Sequence, residues 1–398
     1  MDNLYYHSPN NDFDTYLGDN VKIISSIGQQ FDLIFADPPY FLSTGKKRVK
    51  IEGVYTTFDK GEWDRVKSTS EKDNFNLNWI SSCRNVLKDN GTIWISGTYH
   101  NIFSVARCLD QLGFKILNLV VWHKSDPPTT YSNERLSFSA EYLIWARKCK
   151  EKGHYFNYDL LKSLNGGRHM PDVWRLPSVG LWEKRCGKHP TQKPLHLLYR
   201  IILACTHEGD HILDPFAGSC TTGIAANLLG RNFTGIDQSE EYLQLGQRRR
   251  EEIDDPKTAA RMLRKMKENP EETTVLVNHA RKELRQLMIE KGICYLRAGD
   301  SQGSLQVTPG FERMNYLVLH TGGNNASMFR LKTKGCFQIW TRETLEKHGF
   351  TPEHAPYYVV LLFDNSKEIP FAKDINLRQR INTYRAKIRP LSDFVGMK

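Results

Sequence analysis

Short apolar runs alternate with amphipathic stretches along the chain until about residue 250. The runs FDLIFAD (31–37), GTIWISG (91–97), ILNLVVWHK (116–124), EYLIWARK (141–148), HILDPFAG (211–218) and NFTGID (232–237) predict strands. Their apolar positions are nearly continuous, which suits a sheet covered on both faces. Between them, NIFSVARCLDQLG (101–113) and PLHLLYRIILACT (194–206) predict helices. The pattern is that of a doubly wound α/β domain.

Two segments break this rhythm. Residues 43–73 form a polar, partly basic stretch, and 147–188 carry ten Lys or Arg against four acids with several aromatics between them. Such a composition fits a solvated insertion or a lobe that meets nucleic acid. After Ser239 a helix is predicted, with an N-cap and two acids in its first turn, ended by Pro256. Residues 251–293 predict a charged helical linker. From 294 the runs MNYLVLHTG (314–322) and YYVVLLFDN (357–365) predict a smaller, separate α+β domain over 294–398.

The 398 residues carry a net charge of +10, which points towards a polyanion such as DNA, although solubility alone explains many basic proteins. Eight cysteines lie far apart with no CxxC pair, so neither a metal site nor a disulfide scaffold is expected, and reduced thiols fit a cytoplasmic setting. No secretory signal and no membrane-length apolar run is visible.

Two motifs carry candidate chemistry. Asp37-Pro38-Pro39-Tyr40 closes the first strand. The plain reading is a strand stop, because proline lacks the N–H a ladder needs. The chemical reading is a rigid loop that offers a carboxylate, a carbonyl in a fixed direction and a ring. Those groups suit methylation of an exocyclic amine, whose two N–H bonds need acceptors before its lone pair can be aimed. The second motif runs from His211 to Asp237: a strand, the turn Phe216-Ala217-Gly218-Ser219-Cys220, a helix from Thr221 or Thr222, then a strand ending in an acid. This is the wiring of a nucleotide-type cofactor site. It lacks both G-x-G-x-x-G and a phosphate-binding Lys, so a cofactor without pyrophosphate, such as S-adenosylmethionine, fits it best.

Together these motifs resemble the DNA amino-methyltransferases, whose catalytic motif is [DNS]PP[YFW] and whose cofactor motif is FxGxG. The catalytic motif stands 177 residues before the cofactor turn, which resembles the β group, and HinfI-like adenine enzymes in particular. LGDN (17–20) and KHPTQKPLHLLYRII (188–202) resemble two further motifs of that group. The resemblance spans about 14–250 and implies a Rossmann-like, S-adenosylmethionine-dependent catalytic domain over 1–250, with 147–188 reading the target.

It implies that Asp37 and the Pro38 carbonyl hold the target amine, with Pro39 keeping the loop rigid and Tyr40 stacking on a flipped base. It implies that Asp19 meets the cofactor's adenine and that Phe216, Ala217, Gly218, Ser219, Thr221 and Thr222 line its other parts. Asp237 would take the ribose hydroxyls, and Thr191 and Lys193 would close the amino-acid end, although both can also be read as helix caps. Cys220 stands where the family has a second glycine. The expected substrate is adenine N6 in double-stranded DNA, with cytosine N4, RNA or a protein amide as alternatives. The resemblance leaves room for a homodimer and for a restriction endonuclease acting on the same site. A nucleotide-dependent oxidoreductase or a non-catalytic DNA-binding module would not need these four motifs in this order.

Overall fold

The computed structural model describes residues 3–43, 49–51, 54–56, 64–65, 67–125, 127, 136–165, 167–184, 186–254, 273–298, 314–332, 337–373, 375–381 and 386–395. The chain divides into two units, one of residues 1–156 and 171–250, the other of residues 157–170 and 251–398.

In the first unit the elements are β1 (Leu4–His7), β2 (Phe13–Leu17), α1 (Asn20–Ser26), β3 (Phe31–Ala36), β4 (Val49–Ile51), β5 (Val54–Thr56), α2 (Thr69–Val86), β6 (Leu87–Gly97), α3 (Ile102–Gln111), β7 (Lys115–Lys124) and β8 (Ala140–Arg147). Helix α4 (Tyr158–Leu164) belongs to the second unit. The first unit resumes with β9 (Val173–Leu176), α5 (Leu195–Cys205), β10 (His211–Asp214), α6 (Thr221–Leu228), β11 (Asn232–Asp237) and α7 (Glu240–Asp254). A nine-stranded sheet runs in the order β1-β2-β11-β10-β3-β6-β8-β7-β9. Its centre, from β2 to β6, is parallel. Strand β8 is antiparallel to both its neighbours.

Both faces of this sheet are covered, which explains the continuous apolar runs. Ile34, Ala36, Ile93, Ile95, Ile144, Leu213 and Ile236 pack against Ile23, Trp79, Ile80, Val105 and Leu109 of helices α1 to α3. Alternate residues face the other way. Leu33 and Phe35 are fully buried there. Trp94 stacks on Trp145 and Trp174 at 5.2 and 5.8 Å, with its Nε1 on Cys205 Sγ of α5. Burying each such side chain contributes about 1.5–3 kcal/mol.

Strands β10 and β3 are neighbours, with Ile212 opposite Leu33 and Leu213 opposite Ile34. From β10 the chain moves through α6 to β11 on one side, and from β3 it moves to β6 on the other. The sheet order therefore reverses between them. A crevice outside the carboxyl ends of such strands is where α/β sheets bind ligands. The Asp37 loop and the Phe216 turn, far apart in sequence, both leave the sheet at that point.

The second unit contains β12 (Thr274–His279), β13 (Ile293–Ala298), β14 (Met314–Gly322), β15 (Asn325–Leu331), β16 (Gln338–Trp340), β17 (Tyr357–Ile369) and β18 (Lys387–Pro390). They form a seven-stranded sheet ordered β13-β17-β15-β14-β12-β18, with β16 beside β17. Val275, Val277, Tyr316, Val318 and Met328 build its core with Ile381, Leu391 and Phe394.

Two expectations about organisation need correction. The 251–293 stretch is not a helical linker throughout: Thr274–His279 is a buried strand, because its apolar residues sit between β14 and β18, and residues 255–272 lie outside the described residues. Residues 147–188 are not one insertion. Asn157–Met170 group with the second unit, while Val173–Leu176 pair with β7 in the main sheet. The hairpin of β1 and β2 was not expected, because edge strands with half-exposed residues leave no continuous apolar run. Among the described residues no helix is long and apolar enough to cross a membrane.

Candidate active site

Strand β3 ends at Ala36 and delivers Asp37 beside Ser96 of β6, one residue past the pair Ala36 and Ile95. Ser96 Oγ donates to Asp37 Oδ1 at 2.5 Å. The Tyr40 hydroxyl lies 2.7 Å from the same oxygen and 3.1 Å from Glu141 Oε2, so its one proton serves one carboxylate at a time. Lys193 Nζ stands 2.5 Å from Asp37 Oδ2 and 3.6 Å from Glu141 Oε2. Lys124 Nζ lies 2.5 Å from Glu141 Oε1. Two carboxylates and two ammonium groups thus alternate, and their formal charges cancel.

All four side chains are largely removed from water, with 7–18% of their surface exposed. Taking away one member would leave a charge uncompensated, at a cost of about 3–5 kcal/mol. Burial pulls the Lys193 ammonium down, but Asp37 and Glu141 outweigh it and hold it above its ordinary value. Burial raises Glu141, yet Lys193 and Lys124 together hold it below the usual carboxylate range. Burial, then the charges of Asp37 and Glu141, push the Tyr40 hydroxyl well up, so it stays protonated at neutral pH.

The loop backbone is pinned from two sides. Asn101 Nδ2 donates to the Pro39 carbonyl at 3.1 Å. Asn101 is itself held by Asn76, which also reaches Ser104 and Trp79. Asp64 accepts from the amides of Tyr40, Phe41 and Leu42. Phe41 has φ of 59°, a left-handed conformation that side-chain-bearing residues seldom adopt. Residues 44–48, 52–53, 57–63 and 66 of the 42–73 segment lie outside the described residues.

On the neighbouring strand, Asp214 is buried, accepting from Phe216 N at 3.0 Å and from Thr222 Oγ1 at 2.6 Å. Burial pushes its carboxyl up to about 7, with those two bonds opposing. Phe216 lies edge-on to Trp79 at 5.2 Å. Ala217 N donates to Ile236 O, and Gly218 N to Asp237 Oδ2 at 2.8 Å. Asp237 Oδ1 accepts from Ser239 N, and burial raises its carboxyl against these amides. Gly18 N donates to Asp237 O, which brings the start of α1 to the same edge. There Asp19 caps the helix by accepting from Lys22 N at 3.0 Å, and Asn20 Nδ2 holds Pro215 O.

The turn leaves no room for a side chain at its centre. Gly218 has φ of 49°, and a Cβ there would stand 3.0 Å from His189 Nε2. His189 in turn lies against Tyr242 at 4.2 Å, and its Nδ1 faces the Thr191 amide at 3.3 Å. A bare turn between a carboxylate and an imidazole fits a nucleoside carrying an amino-acid chain, as S-adenosylmethionine does. It offers no lysine for a pyrophosphate.

The structure therefore gathers Asp37, Pro38, Pro39, Tyr40 and Lys193 at one strand end. It gathers Phe216, Ala217, Gly218, Asp19, Asp237 and Thr191 at the adjacent one. Lys193, expected at the amino-acid end of the cofactor, bonds the Asp37 carboxylate. Ser219 and Thr221 are held from behind, because the Arg249 guanidinium of α7 donates to Ser219 O, Ser219 Oγ and Thr221 Oγ1 at 2.7, 3.1 and 2.7 Å. Thr222 likewise faces Asp214. Cys220, with φ of 56°, turns its sulfur towards Gly246, and burial keeps the thiol protonated.

Sequence reasoning missed Ser96, Lys124, Glu141, Asp64 and Asn101. Sheet register brings Ser96 to Asp37 and sets Lys124 on Glu141, which meets Tyr40 and Lys193, and no local pattern announces that. Glu141 did leave a trace as an acid leading an apolar strand. Among the described residues no group of three or more His, Cys, Asp or Glu is placed to hold a metal ion.

The DNA methylase family N6_N4_Mtase matches residues 31–248, more than half of the chain. The Type II methyltransferase M2.MboI of Moraxella bovis is 51% identical over 250 residues, which is 63% of this chain and 91% of that protein. M2.DpnII of Streptococcus pneumoniae is 51% identical over 235 residues, 58% of this chain and 87% of that protein. M.HinfI of Haemophilus influenzae is 37% identical over 243 residues, covering 59% and 67%. Among solved structures, the M1.HpyAVI–SAM complex aligns with a TM-score of 0.45 at 30% identity, over 60% of this chain and 98% of that one. The chain belongs to the N6/N4 DNA methylase family.

Proposed function

We propose that this protein methylates the exocyclic N6 amine of an adenine flipped out of duplex DNA, using S-adenosylmethionine. The observation that carries the reading is the placement of Asp37. Its carboxylate stands at the end of β3, next to the strand that bears the Gly218 turn, with Ser96, Tyr40 and Lys193 fixing its orientation. When bound, S-adenosylmethionine supplies a methyl group on a positively charged sulfur, which nearby carboxylates favour.

The chain's own residues would do the rest. Asp37 and the Pro38 carbonyl accept the two N–H bonds of the amine, so the nitrogen lone pair points across the crevice towards the Gly218 turn. Lys193 and the hydroxyls of Ser96 and Tyr40 hold the Asp37 carboxylate in place for that role. As the nitrogen gains the methyl group it gives up one of its two protons, and the Asp37 carboxylate is the adjacent acceptor. Gly218 and Ala217 admit the cofactor's backbone side, while Asp237 and Asp19 face its nucleoside part. Such preorganised contacts cost no reorganisation at the moment of reaction.

Adenine is favoured over cytosine N4 by the Asp that opens the motif and by the resemblance of this chain's motifs to HinfI-like adenine enzymes; both amines would use the same acceptors. The basic segments 147–188 and 42–73, together with the second unit, are the proposed DNA contacts. The Type II relatives support a companion endonuclease and a cytoplasmic setting. The test is transfer of labelled methyl groups to duplex DNA, RNA and protein, followed by nucleoside analysis. N6-methyladenine made by the wild type and lost in Asp37→Ala supports the reading. N4-methylcytosine would reassign the base, and label on protein or RNA alone would sink it.

A further inference from the structure

We propose that Asp64 is a positioning residue for methyl transfer, its carboxylate setting the backbone from Tyr40 to Ser43 and so fixing where Asp37 and Tyr40 meet the target. This rests on the methyltransferase reading above.

Asp64 is fully buried, yet it stands 27 residues beyond Asp37 and outside the DPPY motif. Its Oδ1 accepts from Tyr40 N at 3.0 Å and Phe41 N at 2.7 Å. Its Oδ2 accepts from Leu42 N at 3.3 Å and from Ser43 Oγ at 3.0 Å. Its own carbonyl accepts from Ser43 N at 2.8 Å. Pro38 and Pro39 have no N–H, so these are the first backbone donors after Asp37. Consecutive amides turned to one side form a concave site for an anion. Here a side chain of the same chain supplies that anion.

The clamp has a strained conformation to hold. Phe41 sits in the left-handed region without being glycine, and such residues persist only where surrounding contacts over-determine them. Phe41 is 1% exposed, and its ring meets Phe75 edge-on at 5.6 Å. Asn101 fixes the Pro39 carbonyl on one side, and Asp64 fixes the amides from Tyr40 onward on the other. The Pro38 carbonyl and the Tyr40 hydroxyl depend on both anchors. Asp64 itself bonds the loop's amides rather than the reacting groups, so it acts through the loop.

The test compares full-length wild type, Asp64→Asn and Asp64→Ala. It uses single-turnover methyl transfer to duplex DNA, affinity for S-adenosylmethionine, and hydrogen exchange of the peptide spanning Asp37 to Ser43. Asp64→Ala should slow transfer by about 10²-fold, the cost of a small misplacement at a reacting centre, with cofactor affinity unchanged. Asp64→Asn should fall between, since its carbonyl oxygen still receives Tyr40 and Phe41 while its amide opposes the Leu42 donor. Exchange at Tyr40, Phe41 and Leu42 should quicken, with the peptide over Phe31–Ala36 unaffected. A wild-type rate in a folded Asp64→Ala protein overturns the proposal. So does a loss that follows cofactor affinity or exchange across the whole sheet. If Asp64→Ala does not fold, Asp64→Asn decides by the same two readouts. A wild type that transfers no methyl to DNA defeats the methyltransferase reading itself, and is told apart by that control.

Discussion

The Tyr40 hydroxyl lies between two carboxylates while the Lys193 ammonium sits over the ring, 5.3 Å from its centre. From sequence, the ring face was the expected contribution, so Phe should replace Tyr at little loss. The geometry gives the hydroxyl a share. Tyr40→Phe is expected to keep the ring but remove a charge-assisted bond worth about 1.5–3 kcal/mol, lowering the rate about tenfold or more. DNA affinity should fall only in Tyr40→Ala, which loses stacking worth about 1–3 kcal/mol. Rate and affinity measured on both variants separate the two effects. Asp214 gives a pH test. Its folded carboxyl titrates near 7 against 3.8 for an ordinary Asp. The folded state therefore holds a proton that the unfolded state has lost, and stability falls as pH rises between about 4 and 7. Asp214→Asn keeps acceptor and donor for Phe216 N and Thr222 Oγ1 without that titration. Unfolding free energy against pH should be flatter in the variant, by up to ~4 kcal/mol across the window. Equal slopes would show that Asp214 is ionised in the folded protein.

At the scale of elements, the cofactor turn and α7 are built against each other. A Cβ at Gly246 would fall within van der Waals contact of Cys220 Sγ and 2.9 Å from Cys220 Cβ. Gly246→Ala is therefore expected to destabilise by about 1–3 kcal/mol through overpacking, despite Ala's better helix propensity. Cys220→Gly removes the obstruction and suits the left-handed φ. The double variant should recover stability beyond the sum of the single changes, as read from urea unfolding. Purely additive values would mean that the turn relaxes away from α7. These elements also show what the chain discloses before folding. Strands 232–237 and 314–322 could be read to the residue, because burial on both faces leaves continuous apolar runs. Strand 274–279 was hidden by charged flanks. The four motifs announced Asp37, Tyr40, Gly218 and Asp237. Ser96 and Glu141 stayed invisible, because Ser96 reaches Asp37, and Glu141 reaches Tyr40 and Lys193, through strand register rather than sequence proximity.

For the whole molecule, the boundary near residue 250 was legible from the change in texture, but the path of the chain was not. The polypeptide leaves the first unit at Phe156, supplies Asn157–Met170 to the second, and returns at Pro171 before its final departure after Arg250. Leu160, Leu161 and Leu164 of that excursion are buried, and Asn157 accepts from the Tyr357 hydroxyl within the second unit. This threading has a genetic consequence. A stop codon or frameshift after Asp254 does not release a tidy shorter enzyme. It parts one helix from the unit it groups with, and Leu160, Leu161 and Leu164 lose whatever cover the rest of that unit gives them.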